Sequence, residues 1–489
     1  MNINITLKEF KTKHIKKKNQ IIFHKIKSRN NNKIENIINN FLKKKNSFIF
    51  ESVEKQTVRG RYTIMGSNPD KIWEFNGKKI HIIQNNIKKE IKANSYFYLK
   101  KLIEKFNFPI PKSLPQLSSL LVGYFSYDII RYIEKVPDNC VNDLNIPDIR
   151  LMRPKTLIIY DNLKKNIFLI SNCFCDEKIN NYEKYYKNQI DNINNLKKLL
   201  SFTEKNLKIT KNKFTKKKIK IKSNISKKKF KEIVLKAKKY IKKGDIFQVV
   251  LSQRFETKLT KKPIDIYRKL RITNPSPFMF FFNFADFQIV GSSPEILVRL
   301  RNKKITIRPI AGTRPRGKNK KKDLFFKKQL LNDQKELSEH LMLLDLGRND
   351  IGKVSKIGSV KVTEKFKIEK YSHVMHIVSN VEGEFDSNRL LFDTMMAGFP
   401  AGTVTGAPKI RAMEIIDELE KSKRKMYAGA IGYFSANKNF DTCIALRTAL
   451  IKNKKFYIQS GAGIVADSNP EKEYFETVNK AKALINALN

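Results

Sequence analysis

FPAGTVTGAPKIRAMEII, residues 399–416, sets a Gly402–Thr403 turn directly before a helix that carries Lys409 and Arg411. Backbone N–H groups at a helix start then lie close to side-chain cations, a combination suited to an anion. On the N-terminal side, YSHVMHIVSNVEG (371–383) places His373 and His376 three residues apart, among Val374, Met375, Ile377 and Val378. A histidine bedded in apolar residues is often a satisfied core group. It is equally an acid–base group, because its ordinary pKa lies near neutrality.

Further upstream, LLNDQKELSEHLMLLDLGRND (330–350) spaces Glu336 and Glu339 three apart, so that on a helix they share a face. Downstream, EKEYFETVNKAKALI (471–485) repeats the spacing with Glu473 and Glu476. Any one of these glutamates is explained as well by a solvated helix face. Two acidic pairs on two helices, however, can converge on one hard cation, and Mg²⁺ takes a few carboxylates, waters and an anionic substrate. In RPIAGTRPRG (308–317), Gly312 and Thr313 offer a permissive backbone and a hydroxyl, although a glycine turn between strands accounts for them equally. In YAGAIGYF, DTCIALRTA and SGAGIVADSNP (427–470), Tyr427, Arg447 and the turn Gly461–Ala462–Gly463 suit a carboxylate, with Arg447 supplying a two-pronged fork.

The rest of the chain reads less sharply. Residues 1–45 are basic and polar, with little pattern beyond a possible helix. SFIFESVEKQTVRGRYTIMGSNP, LLVGYFSYDIIRYIE and LIIYDNLKKNIFLISNCF predict strands and loops in an α/β or α+β pattern. Residues 176–228 are dominated by Lys and Asn and predict a helix followed by a mobile linker. Phe230, Ile233, Val234, Ala237, Tyr240 and Ile241 then fall at helical spacing, with Ser226 as the cap and Gly244 as the stop. A strand follows in IFQVVLSQRFE. This places a boundary near residue 225, between an N-terminal part (1–225) and a larger C-terminal part (226–489).

Composition excludes several classes. No run approaches the ~20 apolar residues of a membrane span, and the N-terminus lacks a secretory pattern, so a cytosolic protein is expected. Cys140, Cys173, Cys175 and Cys443 form neither a zinc site nor a disulfide framework. The net charge of +53 would normally point to nucleic acid. Here the lysines accompany abundant Asn and Ile, all encoded by adenine- and thymine-rich codons, and no nucleic-acid motif joins them. No nucleic-acid partner is expected. The site described by these segments suits a small dianionic organic acid with Mg²⁺, and no P-loop, dinucleotide fingerprint or hydrolase triad is present.

Taken together and in order, the six C-terminal segments resemble the chorismate-utilising enzymes, most closely the anthranilate synthase component I family. The match is dense from about Asp245 to Leu488 and thinner over FIFESVEKQTVRGRYTIMGSNP. The resemblance implies an α/β (α+β) fold with two large, mainly antiparallel sheets packed together and helices outside. It also implies Mg²⁺ on Glu339 and Glu476, with Glu336 and Glu473 close by. Chorismate would contact Gly312, Thr313, Tyr427, Arg447, Gly461, Ala462, Gly463 and Lys480, with His376 catalytic and Thr403 in the active-site turn.

Two positions separate the products of that family. Aminodeoxychorismate synthases typically have a nucleophilic lysine where this chain has Ala311. Isochorismate and salicylate synthases typically carry a lysine base at the position of Gln248, which has no basic nitrogen. Both favour anthranilate made with ammonia. No glutaminase domain is present, so a separate glutamine amidotransferase subunit is implied as partner. The resemblance further implies an L-tryptophan inhibitor site built from Glu51, Ser52, Pro277, Phe278 and Met279. Phe278 stands where tyrosine is common, and FIFES replaces the usual LLES.

Overall fold

The computed structural model describes residues 3–28, 37–38, 40–52, 60–201, 219–371 and 374–488. Every ladder between its strands is antiparallel, and the chain is organised by one long bent ribbon. Tyr62–Asn76 pairs with Ile149–Asp161 along its length, and at the middle Pro69 faces Pro154. Neither proline donates a ladder hydrogen bond, so the register slips there and the ribbon can turn.

Each half of the ribbon seeds a sheet. The half holding Tyr62–Gly66 and Thr156–Asp161 is flanked by Ser47–Glu51 and Asn166–Cys173. That sheet continues through Phe278–Asn283, Gln288–Ser293, Thr448–Lys452 and Lys455–Ile464 to Gln248–Lys258. The other half is flanked by Lys79–Gln84 and Leu120–Phe125. From there the second sheet runs through Ala430–Ser435, Phe440–Ile444, Ile296–Arg301 and Lys304–Ile307 to Val374–Glu384 and Lys361–Lys370. Strands from the N-terminal part thus lie within both sheets beside strands from the C-terminal part.

The two sheets face one another across an aromatic layer. Phe48, Phe280, Phe282 and Phe284 meet Tyr124, Phe125 and Phe434, all of them buried. The ring centroids of Tyr124 and Phe284 are 5.9 Å apart, and those of Phe50 and Tyr433 6.0 Å. Burial on both faces explains why Leu120–Phe125 and Ala430–Ser435 read as continuous apolar runs rather than alternating ones. The helices Leu7–Ile15, Tyr182–Ser201, Pro263–Thr273 and Pro470–Asn486 share a second core on the outer face of the first sheet. The expected α/β class with two packed antiparallel sheets and outer helices is what the chain adopts.

Local expectations fare unevenly. The helix Lys227–Lys242 buries Phe230, Ile233, Val234 and Ala237, and Ser226 Oγ caps it by accepting from Lys229 N at 3.2 Å. The Lys/Asn-rich stretch yields the helix Tyr182–Ser201, while the expected linker lies outside the described residues. The N-terminal 45 residues hold more order than their composition suggests. Thr6 and Glu9 form a reciprocal cap on Leu7–Ile15, and Gln20–Lys27 adds an edge strand beside Asn166–Cys173. Lysines at solvent-facing positions mask that strand in the sequence. No helix among the described residues is long and apolar enough to cross a membrane.

Candidate active site

The C-terminal segments converge between Val374–Glu384, Gln248–Lys258 and the helices Gln334–Gly352 and Pro470–Asn486. In the ladder between Ile310–Pro315 and Val374–Glu384, Thr313 faces His376. The register shifts next to Gly312, whose φ of +65° favours glycine, and whose absent Cβ would sit 3.1 Å from Glu336 Oε2. His376 Nδ1 lies 2.9 Å from the Gly312 carbonyl and 3.1 Å from Thr313 Oγ1. A carbonyl only accepts, so this contact assigns the ring proton to Nδ1 and leaves Nε2 as the proton acceptor. Burial, with the Arg447 cation adding to it, pushes His376 down to about 4, so the ring is neutral at physiological pH. His373 lies outside the described residues.

The acidic helices meet on the other side. Gln248 Nε2 donates to Glu339 Oε1 at 3.0 Å. Burial raises the Glu339 carboxyl, and the neighbouring Glu336 and Glu476 carboxylates raise it further against that hydrogen bond. Burial likewise raises Glu473, with Glu476 adding to it. Glu336 is engaged by Arg314 at 3.0 Å, which also pairs with Asp333. Glu476 receives Lys480 Nζ at 2.7 Å, and the same ammonium donates to the Gly461 carbonyl at 3.0 Å. Among the described residues no group of three or more His, Cys, Asp or Glu side chains forms a metal cage. The Glu339 carboxyl feels both Glu336 and Glu476, so carboxylates from the two helices lie near one another.

The anion-binding wall comes from Lys455–Ile464 and the Arg447 turn. A Cβ on Gly461 would lie 2.6 Å from the Tyr427 hydroxyl, and one on Gly463 2.7 Å from Gln248 Nε2. The two glycines therefore make room for those side chains. Ala462, between them, points the opposite way into the core with Ala412 and Ile415, so only its backbone is available to a ligand. Arg447 has a left-handed φ of +47°, a conformation that costs free energy and is held by its surroundings. Its half-buried guanidinium makes no hydrogen bond or ion pair among the described residues, and burial lowers its pKa. An unpaired, desolvated arginine is a demand for an anion. Lys409 and Arg411, by contrast, are occupied: Lys409 binds Asp350 at 2.8 Å and Arg411 binds Glu414 at 2.7 Å. They brace helices rather than meet a ligand.

Thr403 lies in the short turn Gly402–Val404 and donates its hydroxyl to Glu295 Oε1 at 3.1 Å. Burial pushes the Glu295 carboxyl up to about 8, leaving it mainly protonated at neutral pH. Sequence reasoning passed over Glu295. The available signal was a lone carboxylate in GSSPEILVRL, a segment otherwise patterned as buried strand. The two segments expected to hold an inhibitor also meet. Met279 pairs with Glu51 across adjacent strands, Pro277 and Phe278 lie beside them, and the Ser52 hydroxyl is buried without a hydrogen-bond partner among the described residues. Glu51 is already engaged, by Arg271 at 2.7 Å and by the Tyr267 hydroxyl.

Residues 45–486 match the family described as chorismate binding enzyme. The anthranilate synthase component 1 of Cereibacter sphaeroides is 46% identical over 446 residues, covering 90% of this chain and 88% of that protein. That of Acetivibrio thermocellus is 46% identical over 445 residues and covers 90% of each. The anthranilate synthase component I of Streptococcus pneumoniae superposes with a TM-score of 0.76 at 35% identity, covering 88% of this chain and 93% of that one. The menaquinone-specific isochorismate synthase of Escherichia coli shares the fold, with a TM-score of 0.70 at 16% identity. An arginine unpaired among the described residues, a neutral histidine and neighbouring carboxylates thus lie in a fold and sequence matched almost end to end, and the chain belongs to the chorismate-binding enzymes.

Proposed function

We infer that the chain is the synthase component of a cytosolic anthranilate synthase, converting chorismate and ammonia to anthranilate, pyruvate and water. The observation that carries the choice of product is Gln248. Its Nε2 is held by Glu339, and its Oε1 is buried with no partner among the described residues. An amide oxygen accepts an N–H from ammonia without needing a base, whereas activation of water calls for a basic nitrogen that Gln248 lacks. Ala311 likewise offers no nucleophile.

In this reading Arg447, Lys480 and the Gly461–Gly463 backbone hold the carboxylates of chorismate. Mg²⁺ held by Glu339 and Glu476 supplies charge for the ring carboxylate and Lewis acidity. Glu295, protonated and steadied by Thr403, donates a proton to the departing C4 hydroxyl as ammonia adds at C2. His376, neutral with Nε2 free, takes up a proton as pyruvate leaves and the ring becomes aromatic. Glu336 and Glu473 hold the local charge high around the metal carboxylates.

The ammonia source is a separate glutamine amidotransferase subunit. Burial raises the thiols of all four cysteines, Cys140 and Cys173 to about 12, which leaves none primed as a thiolate nucleophile for glutamine. Residues 1–225 carry part of an L-tryptophan site, Glu51 and Ser52, and residues 226–489 carry the chorismate site together with Pro277, Phe278 and Met279 of the tryptophan site. The unpartnered Ser52 hydroxyl supports that placement. Incubating the purified chain with chorismate, Mg²⁺ and ammonium tests the activity. Anthranilate is expected. Isochorismate, salicylate or aminodeoxychorismate as the main product would overturn it.

A further inference from the structure

Arg424 lies outside every segment with an assigned role, three residues before Tyr427. It is 2% exposed, and four of its N–H groups are committed to three different parts of the chain. Nε and Nη2 form a two-pronged pair with Glu420 at 2.9 and 2.6 Å. Nη1 donates to the Val404 carbonyl at 2.8 Å, and Nη2 also donates to the Val250 carbonyl at 2.6 Å. The guanidinium carbon stands 4.8 Å from the Tyr127 ring centroid and 5.5 Å from that of Tyr427. Glu420 is in turn fixed by the Ser252 N–H and hydroxyl, each at 2.8 Å.

These contacts share a property. Val404 adjoins Thr403, Val250 lies two residues along the strand from Gln248 and pairs with Gly463, and Tyr427 abuts Gly461. We propose that Arg424 is a positioning residue, holding the Thr403 turn, the Gln248 strand and the Tyr427 ring in one arrangement beneath the substrate. The role rests on the chorismate reading of that site. Only a planar fork with five donors serves a carboxylate and two carbonyls at once. A lysine at 424 keeps the charge but not the geometry. A displacement of about 1 Å in such a support costs on the order of 100-fold in rate.

Three variants test this: Arg424→Lys, Ser252→Ala, and the double variant Arg424→Met with Glu420→Gln. The double variant leaves no charge buried alone, and replacing a buried ion pair in that way is often neutral for folding. Near-UV circular dichroism gives the folded fraction, and activity is expressed per folded molecule. The two Arg424 variants are expected to lose about 30-fold or more in kcat/KM, with kcat falling and the KM for chorismate rising. Ser252→Ala should lose about threefold to tenfold, because the Ser252 N–H still holds Glu420. Half-saturating Mg²⁺ should stay within about twofold, because Arg424 touches neither acidic helix. Folded Arg424 variants within about threefold of the parent would overturn the proposal, as would a parallel rise in the chorismate and Mg²⁺ requirements. Failure of every variant to fold would also overturn it, assigning Arg424 to core stability. A parent chain that neither binds nor converts chorismate would overturn the activity reading and this role together; an active parent with unaffected variants overturns only the role.

Discussion

Gln248 Nε2 and Glu339 Oε1 lie 3.0 Å apart, and this hydrogen bond joins the strand Gln248–Lys258 of the first sheet to the acidic helix that packs on the second. In the proposed reaction it would set the residue that selects the nucleophile against one of the carboxylates that would meet Mg²⁺. Gln248→Leu keeps the bulk and removes both polar atoms. A hydrogen bond to a charged partner contributes about 1.5–3 kcal/mol, so ammonia-dependent kcat/KM should fall about 10- to 100-fold. Steady-state kinetics with ammonium as the varied substrate measure it; an unchanged value would remove Gln248 from the site.

Glu339→Gln and Glu476→Gln should each abolish turnover, because each takes a formal negative charge from the Mg²⁺ site while sparing side-chain size. Activity measured across a Mg²⁺ titration is the check. Near-normal turnover at limiting Mg²⁺ would acquit that residue as a ligand.

With free ammonia held constant, kcat/KM should follow a bell against pH. The acid limb reflects His376, which must be neutral and titrates at about 4; the alkaline limb reflects Glu295, which must be protonated and titrates at about 8. Glu295→Gln can still accept from Thr403 but gives no proton, so it should lower kcat about 10²- to 10⁴-fold and erase the alkaline limb. Stability follows the same shifts. The Glu295 contribution is fully present below its ordinary 4.5 and is lost as pH rises through about 8. That of His376 is present above its ordinary 6.5 and is lost as pH falls through about 4. Chemical denaturation of Glu295→Gln should therefore show a flatter decline in stability as pH rises from 4.5 to about 8 than the parent.

The isolated chain should turn over chorismate with ammonium and not with glutamine until a glutaminase subunit is added. Anthranilate fluorescence in the two assays decides it. Glutamine-dependent product from the chain alone would contradict a separate ammonia source.

L-Tryptophan should inhibit the parent and not Ser52→Phe, since the added ring fills the space beside the unpartnered Ser52 hydroxyl. Phe278→Tyr should bind tryptophan about twofold to tenfold more tightly if the extra hydroxyl makes one hydrogen bond worth about 0.5–1.5 kcal/mol. Equal inhibition of parent and Ser52→Phe would move the site elsewhere.

Short-range order was legible where a residue's neighbours in sequence are its neighbours in space. The helix after Ser226, the acidic pairs three apart and the strand after Gly244 all follow from periodicity. The family was legible because the motifs keep their order along the chain. What depends on contacts between distant residues was not. Nothing in GSSPE announces that Glu295 ends buried beside Thr403, 108 residues away, or that burial there keeps it protonated. Lys409 looked available because Asp350, on another helix, becomes its partner only once the helices pack. The pairing of Pro69 with Pro154, which bends one ribbon into two sheets, likewise exists only between strands. The sequence by itself determined the elements and the inventory of reactive groups, because both are local. Tertiary structure decided which groups are desolvated, paired or left without a partner, because desolvation and pairing depend on the whole surroundings of a group.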